Sequence, residues 1–200
     1  FSVVSYTGTG SAATIGHGLG TAPHLIIMKD RSNVRDWFVY HQSTGETNRL
    51  KLNSTVASAA STFLNNTTPT SSVYAVDGGA AGNTNSTNYI AYCFADVQGY
   101  SKFGSYLGNS ADDGTFVYTG FKPALIMVKR INSTGNWVMH DNRRSLTNGF
   151  NVNSYTLYSN TNTDEITDES KVDLLSNGFK FRNAYTDQNA NGSSYIFMAF

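Results

Sequence analysis

The sequence has little of the charge that a nucleic-acid-binding protein needs. Charged residues are 14% of the chain, and 14 basic side chains against 14 acidic ones give a formal net charge of zero. A typical soluble domain has about a quarter charged residues, and a nucleic-acid-binding domain carries a basic face. We therefore expect no nucleic-acid partner. Asn, Ser, Thr and Gly take the place of charge, a composition that suits an extracellular or virion surface.

Cysteine and long apolar runs are also scarce. The single cysteine excludes an intrachain disulfide. Cys93 lies in the apolar run 89–94, where a lone thiol behaves as a small buried hydrophobe. No apolar run approaches the roughly 18 residues that a membrane-spanning helix requires. We expect no membrane insertion.

Motifs for catalysis and metal binding are missing too. The chain has no Gly-x-Ser-x-Gly turn for a nucleophile and no His-Glu-x-x-His or Cys-x-x-Cys spacing for zinc. The acidic run 164–169 is the best place for calcium, but it lacks the spacing of an EF-hand loop. A solvated charged loop is the preferred interpretation of that run. We predict no catalytic residue, no metal ligand and no cofactor.

A repeated segment is the strongest pattern in the sequence. Residues 20–29 are followed by a polar loop and then by the run 37–41, and residues 120–129 and 137–140 repeat this arrangement. Gly, Pro, Leu, Ile, Lys and Trp recur 100 residues apart. Self-similarity at a fixed offset indicates duplication. The sequence therefore predicts two tandem, homologous halves, 1–98 and 99–200, packed either as separate units or as one merged unit.

The composition of the halves predicts an all-β fold. Short β-branched and aromatic runs alternate with turn signals, which is typical of an antiparallel β-sandwich. The continuously apolar run 25–28 indicates a strand buried on both faces, with Lys29 at its solvent edge. It forms a predicted hairpin with the run 37–41.

Two weaker local patterns add to this prediction. Alanines in the stretch 56–64 favour one or two helical turns. Three Asn-Gly dipeptides, which tolerate positive φ, predict tight turns; they lie at 148–149, 177–178 and 191–192.

Ligand-contacting residues are expected where aromatic and polar side chains meet at loops, because such sites stack on sugars and hydrogen-bond to them. Tyr40 and His41 end a predicted strand, and Asn83 and Asn85 lie in the long polar loop 77–88. These four are the candidate ligand-binding residues. Differences between the halves, such as loop 30–36 against loop 130–136, are the other place where function is expected.

Several ordered motifs give the chain a family resemblance. They are residues 15–23, 88–95, 99–106, 116–121 and 173–180. Together they resemble a domain of unknown function found in virion proteins of marine and environmental bacteriophages, often described as tail-fibre-like. The resemblance implies a non-enzymatic structural role at the virion surface, in a tail fibre, head fibre or capsid-surface protein. It also implies homo-oligomers, other virion proteins as partners and a host-surface glycan as ligand.

Two alternatives stay open at this point. A secreted bacterial lectin-like protein or filament subunit would have the same fold without a virus. A glycan depolymerase would use a pair of carboxylates, for which Asp112 and Asp168 are candidates.

Overall fold

The computed structural model describes residues 1–144 and 151–200, and the regular secondary structure of these residues consists almost entirely of antiparallel strands. Their contacts group into two compact units. The first contains Phe1–Asn53 and Ser58–Asp96, and the second contains Ser54–Ala57 and Val97–Phe200. Within the described ranges, no helix is long and apolar enough to cross a membrane.

The first unit has eight strands in two sheets. Six form one sheet in the order β1-β8-β3-β4-β5-β6, and the remaining two pair with each other. Their bounds are β1 Ser2–Thr7, β2 Ala13–Gly16, β3 Leu25–Asp30, β4 Trp37–His41, β5 Asn48–Lys51, β6 Ala59–Ala60, β7 Val73–Val76 and β8 Asn88–Phe94.

The core of the first unit lies between these two sheets. Alternate residues of β3 and β4, such as Met28 and Phe38, point into it together with Ala91 and Cys93 of β8. Tyr74 and Val76 of β7 close it from the two-stranded sheet. Alternation with period two brings these side chains to one face of each strand. The result is a sandwich-like packing of two layers.

The described residues of the second unit form eight strands in one sheet, in the order β10-β15-β14-β13-β12-β11-β16-β9. Their bounds are β9 Lys102–Leu107, β10 Phe116–Tyr118, β11 Leu125–Arg130, β12 Trp137–Asp141, β13 Asn153–Tyr158, β14 Ile166–Leu175, β15 Gly178–Phe181 and β16 Ser194–Ala199. A four-residue helix, α1, spans Thr186–Asn189.

This longer sheet closes over its own core and approaches a barrel. Strand β14 pairs with β13 between Ile166 and Val172 and with β15 from Val172 to Leu175. Phe179 of β15 therefore packs against Phe197 of β16, with ring centroids 5.5 Å apart. Val128 and Val138 lie in the same buried cluster.

Strand order corresponds between the two units. The order β1-β8-β3-β4-β5 in the first unit matches β9-β16-β11-β12-β13 in the second. The hairpins share one register, since Lys29 lies opposite Trp37 and Lys129 lies opposite Trp137. This shared register defines equivalent positions in the two units.

The predicted all-β, antiparallel, sandwich-like fold and both hairpins are confirmed, and Cys93 is buried as a free thiol. The prediction of helical turns within 56–64 is wrong. Ala59 and Ala60 instead form β6 and pair with β5. Tertiary pairing here overrides the intrinsic helix propensity of alanine.

Two further local predictions need correction. The acidic run 164–169 is not a loop throughout, because β14 begins at Ile166. Lys29, which was predicted at the solvent edge of its strand, is half-buried, and its counterpart Lys129 is completely buried. The predicted turn at 191–192 is present, with a φ of 66° at Gly192, whereas the turn predicted at 177–178 lies at 176–177 because Gly178 begins β15. The predicted turn at 148–149 lies outside the described residues.

Candidate functional site

A cleft of about 550 Å³ opens in the first unit. Strands β4 and β5 supply one side, and the segments 61–63 and 77–81 supply the other. Its lining is mostly polar and small; the lining residues are Val34, Arg35, Asp36, Phe38, Arg49, Lys51, Asn53, Ser61, Thr62, Phe63, Asp77, Gly79, Ala80 and Ala81.

Two aromatic rings form the apolar part of the cleft. Phe38 and Phe63 are both buried, and their ring centroids lie 6.4 Å apart at an angle of 39°. The guanidinium carbon of Arg49 lies 5.0 Å from the centroid of the Phe38 ring. A cation stacked on an aromatic face is held by the ring quadrupole. This stacking fixes the orientation of the Arg49 guanidinium, and the residue lines the cleft.

Asp36 organises the polar wall on the β5 side. Its carboxylate accepts a hydrogen bond from Asn53 Nδ2 at 3.0 Å and lies 2.7 Å from Lys51 Nζ. Asn53 Oδ1 in turn accepts the backbone N–H of Trp37. The hydrogen bond from Lys51, together with that from Asn53, holds the pKa of Asp36 below its usual value. Asp36 is therefore a fixed anion whose hydrogen-bonding capacity is largely used.

Asp77 organises the opposite wall. One carboxylate oxygen accepts the hydroxyl of Thr62 at 2.7 Å, and the other accepts the backbone N–H of Gly79 at 2.8 Å. The chain then continues through Gly79, Ala80 and Ala81, whose side chains are too small to fill the space in front of them. Small residues at this point leave the cleft open.

The equivalent region of the second unit carries larger side chains. Tyr6 donates its hydroxyl to the carbonyl of Gly82, and Tyr106 donates its hydroxyl to the carbonyl of Gln188. Gly82 and Gln188 are therefore at equivalent positions. The two residues before each of them also correspond, so Ala80 is equivalent to Thr186 and Ala81 to Asp187. Asp187 accepts a hydrogen bond from Asn136 Nδ2 at 2.8 Å.

The ion pair between Asp36 and Lys51 of the first unit has an uncharged counterpart in the second unit. By register, Asp36 corresponds to Asn136, and Asn53 corresponds to Asn160, which accepts the N–H of Trp137 at 2.7 Å. Lys51 corresponds to Tyr158, since each lies opposite the residue that follows the tryptophan. The charges that line the cleft are thus particular to the first unit.

The four predicted ligand-binding residues lie away from the cleft lining. Tyr40, His41 and Asn83 are at most 3% exposed. Asn83 binds Thr9 and Ser11 and so fixes the loop after β1. Asn85 is exposed. Contact of these four residues with a ligand stays a prediction.

Two of the predicted loops do contribute to the cleft. Val34, Arg35 and Asp36 come from loop 30–36, which was singled out because it differs between the halves, and Gly79–Ala81 come from loop 77–88. Sequence reasoning missed Phe38, Arg49 and Lys51. For Lys51 the available signal was the equivalent position in the second half, where the uncharged Tyr158 stands.

The second unit contains a buried polar cluster around His140. His140 Nε2 lies 2.8 Å from Ser170 Oγ and 3.2 Å from Gln188 Oε1, while Nδ1 faces the carbonyl of Tyr155 at 3.1 Å. All three side chains are completely buried. Burial lowers the pKa of His140 to about 4. A neutral imidazole closed off from solvent serves packing and hydrogen bonding rather than catalysis.

The remaining predicted carboxylates are dispersed over the second unit. Asp112 and Asp168 are exposed, and Asp168 has a positive φ of 67°. Glu165 of the acidic run forms an ion pair with Arg144. In residues 1–144 and 151–200 no group of three or more His, Cys, Asp or Glu side chains is arranged to hold a metal ion.

The fold and the cleft together define an all-β, antiparallel, sandwich-like protein with a charged polar cleft in its first unit. The chain matches the family described as a domain of unknown function (DUF7483) over residues 1–200, and it belongs to that family. No curated protein and no solved structure matches the chain.

Proposed function

We propose that this chain is a non-enzymatic structural module of a bacteriophage virion, part of a tail fibre, head fibre or capsid-surface protein. We further propose that it contributes to attachment by binding a host-surface saccharide in the cleft of the first unit. The observation that carries the attachment role is this cleft, which combines buried aromatic rings with fixed hydrogen-bonding side chains.

The chemistry of the cleft walls suits saccharide recognition. Sugar hydroxyls donate and accept hydrogen bonds, while their C–H faces pack on aromatic surface. Asn53, Thr62 and Ser61 offer neutral donors and acceptors, and Phe38 and Phe63 contribute the apolar part of the lining. A volume of about 550 Å³ lies within the range of small-molecule sites. One or two sugar rings are the expected occupant.

The carboxylates of the cleft favour binding over hydrolysis. A glycoside hydrolase needs one carboxyl group with a raised pKa as general acid. The pKa of Asp36 is instead held below its usual value by Lys51 and Asn53. Asp77 accepts a hydrogen bond at each oxygen. This arrangement supports the non-enzymatic proposal.

The virion role rests on the resemblance of the ordered motifs and on the low-charge composition. It includes assembly with other virion proteins and with further copies of this chain, because symmetric homo-oligomers are the usual form of fibres. We also propose that the two units arose by tandem duplication. Their common strand order and common hairpin register support this origin.

A saccharide array with the purified chain tests the attachment role. Ala80 is exposed at the rim of the cleft, so Ala80→Trp should block entry without disturbing the core. Thr186→Trp makes the same change at the equivalent exposed position of the second unit. We expect A80W to lose binding and T186W to keep it. Absence of binding to any saccharide, or equal binding by both variants, would count against the cleft.

Mass spectrometry and immunogold imaging of purified particles test the virion role. We expect the chain on the particle surface. Its absence from particles would instead favour the secreted lectin or filament subunit. Release of reducing sugar from host polysaccharide, lost when Asp112 or Asp168 is changed to Asn, would establish the depolymerase alternative.

A further inference from the structure

We infer that the saccharide bound in this cleft carries a carboxylate, and that Arg49 is the residue that recognises it. This inference rests on the proposed function, since it specifies the ligand of the same cleft. It starts from the position of Arg49 on β5, where the side chain is half-buried and its guanidinium carbon lies 5.0 Å from the centroid of Phe38.

Stacking on Phe38 leaves the hydrogen-bonding edge of Arg49 unused. A guanidinium has five N–H donors in a fixed planar fork, which matches the two oxygens of a carboxylate. Across the part of the chain that the structure describes, the side chain of Arg49 makes a ring contact but no ion pair. The stacked ring has already restricted its rotamers. The residue is therefore preorganised for a bidentate anion.

Neither acid of the cleft accepts a hydrogen bond from Arg49, although the charge of Arg49 helps to lower the pKa of Asp36. Asp36 is bonded to Lys51 and Asn53, and Asp77 to Thr62 and the backbone of Gly79. Arg35, Arg49 and Lys51 supply three positive charges against these two negative ones. The cleft therefore has one positive charge in excess. An anionic ligand would neutralise it.

A carboxylated sugar fits this combination better than a free carboxylate does. Its carboxylate would meet the Arg49 fork, and its hydroxyls would meet Asn53, Ser61 and Thr62 along the same walls. Charge-assisted bidentate pairs are stronger and more directional than neutral hydrogen bonds. Arg49 would thus set specificity, while the neutral groups would add affinity.

The test compares oligosaccharides of galacturonate and of glucuronate, and N-acetylneuraminyl-lactose, each as the free acid and as its methyl ester. Titration calorimetry measures both forms with the intact chain. We expect the free acid of at least one of these probes to bind about tenfold or more tightly than its ester, because the ester cannot form the charged fork. Acetate serves as the free-carboxylate arm and should bind weakly.

Matched variants assign the effect to Arg49. Arg49→Gln should reduce the ratio of acid to ester affinity to about one, and Arg49→Lys should give an intermediate ratio because it keeps the charge but loses the fork. Arg31→Gln removes an exposed cation from the same unit but outside the cleft lining, and it should keep the wild-type ratio. Circular dichroism checks that each variant is folded.

The outcomes separate this inference from the proposed function. Equal binding of acids and esters, or binding of neutral saccharides alone, overturns the carboxylate assignment and leaves saccharide attachment standing. An acid preference that persists in a folded Arg49→Gln protein overturns the role of Arg49. Absence of binding to any saccharide on the array overturns both.

Discussion

Gly79 in the first unit and Tyr185 in the second occupy equivalent positions, each three residues before a carbonyl that accepts a tyrosine hydroxyl. The Tyr185 hydroxyl hydrogen-bonds to that of Tyr158 and lies 3.4 Å from Asp187 Oδ2. Gly79 has no side chain and so makes no contacts of the kind that Tyr185 makes. One difference in side-chain size thus accompanies an open cleft in one unit and a polar network in the other.

Acid should destabilise the second unit through His140. Burial lowers the pKa of His140 to about 4 in the folded state, against an ordinary value of 6.5. The unfolded chain therefore takes up a proton first as the pH falls below 6.5, and stability declines until about pH 4. The full loss is about 3 kcal/mol. Urea unfolding between pH 7 and 5 should show this slope, and His140→Gln should lack it. Titration of His140 near pH 6.5 in NMR spectra of the folded protein would contradict this expectation.

Lys29 and Lys129 should differ sharply in their reaction with amine reagents. Lys129 is completely buried, with Nζ donating to the carbonyls of Thr55 at 3.0 Å and Gly135 at 2.9 Å. Lys29 is only half-buried. We expect acetylation of the native protein to modify Lys29 readily and Lys129 only after denaturation, as measured by peptide mass spectrometry. Equal rates of modification under native conditions would show that the burial of Lys129 is not maintained in solution.

Gly8 and Gly108 should resist substitution because each faces a backbone carbonyl. A Cβ at Gly8 would overlap the carbonyl oxygen of Thr84, and one at Gly108 would overlap that of Ala190. Each change to alanine should cost about 1–3 kcal/mol or more, because backbone must move. Gly16→Ala is the control, since its Cβ would lie 4.0 Å from the nearest atom. Thermal denaturation should therefore leave G16A within a few degrees of wild type, and a similar loss in all three variants would reject the steric explanation.

Asn83 should prove structural rather than ligand-binding. Its Oδ1 accepts the N–H of Thr9 at 2.9 Å, and its Nδ2 donates to Thr9 Oγ1 at 3.1 Å and to the carbonyl of Ser11. Asn83→Asp keeps the shape but replaces the donor with an acceptor, so about 1–3 kcal/mol of stability should be lost. Saccharide affinity of the folded variant should match wild type. A loss of affinity without a loss of stability would restore Asn83 as a ligand contact.

Much of the fold could be predicted because strand signals are local. The alternation of β8 and the apolar run of β3 indicate strands from a few residues each. Strand β14 was missed because Asp168 and Lys171 give it a polar appearance; its strand character comes from Val172 and Leu174, which pair with β15 and enter the core. The alanines of β6 were misassigned because only their pairing with β5 makes them a strand.

The cleft could not be predicted from sequence because its parts are far apart along the chain. Phe38 and Arg49 lie in adjacent strands, while Asp77 follows β7, and only the packing of two sheets brings them together. No local pattern marks a guanidinium that will stack on a ring of the neighbouring strand. The aromatic and amide residues that looked most suitable for a ligand proved to be mostly buried.

The segment Ser54–Ala57 has a consequence for how this protein can be assembled and rearranged. It belongs to the second unit, although residues of the first unit precede and follow it. The carbonyl of Thr55 in this segment accepts a hydrogen bond from Nζ of Lys129, 74 positions later in the chain. During synthesis the hydrogen bond from Lys129 to Thr55 therefore cannot form until the chain has emerged through residue 129. The two halves consequently cannot be exchanged as independent cassettes, because a recombination at their junction would separate Lys129 from its acceptor.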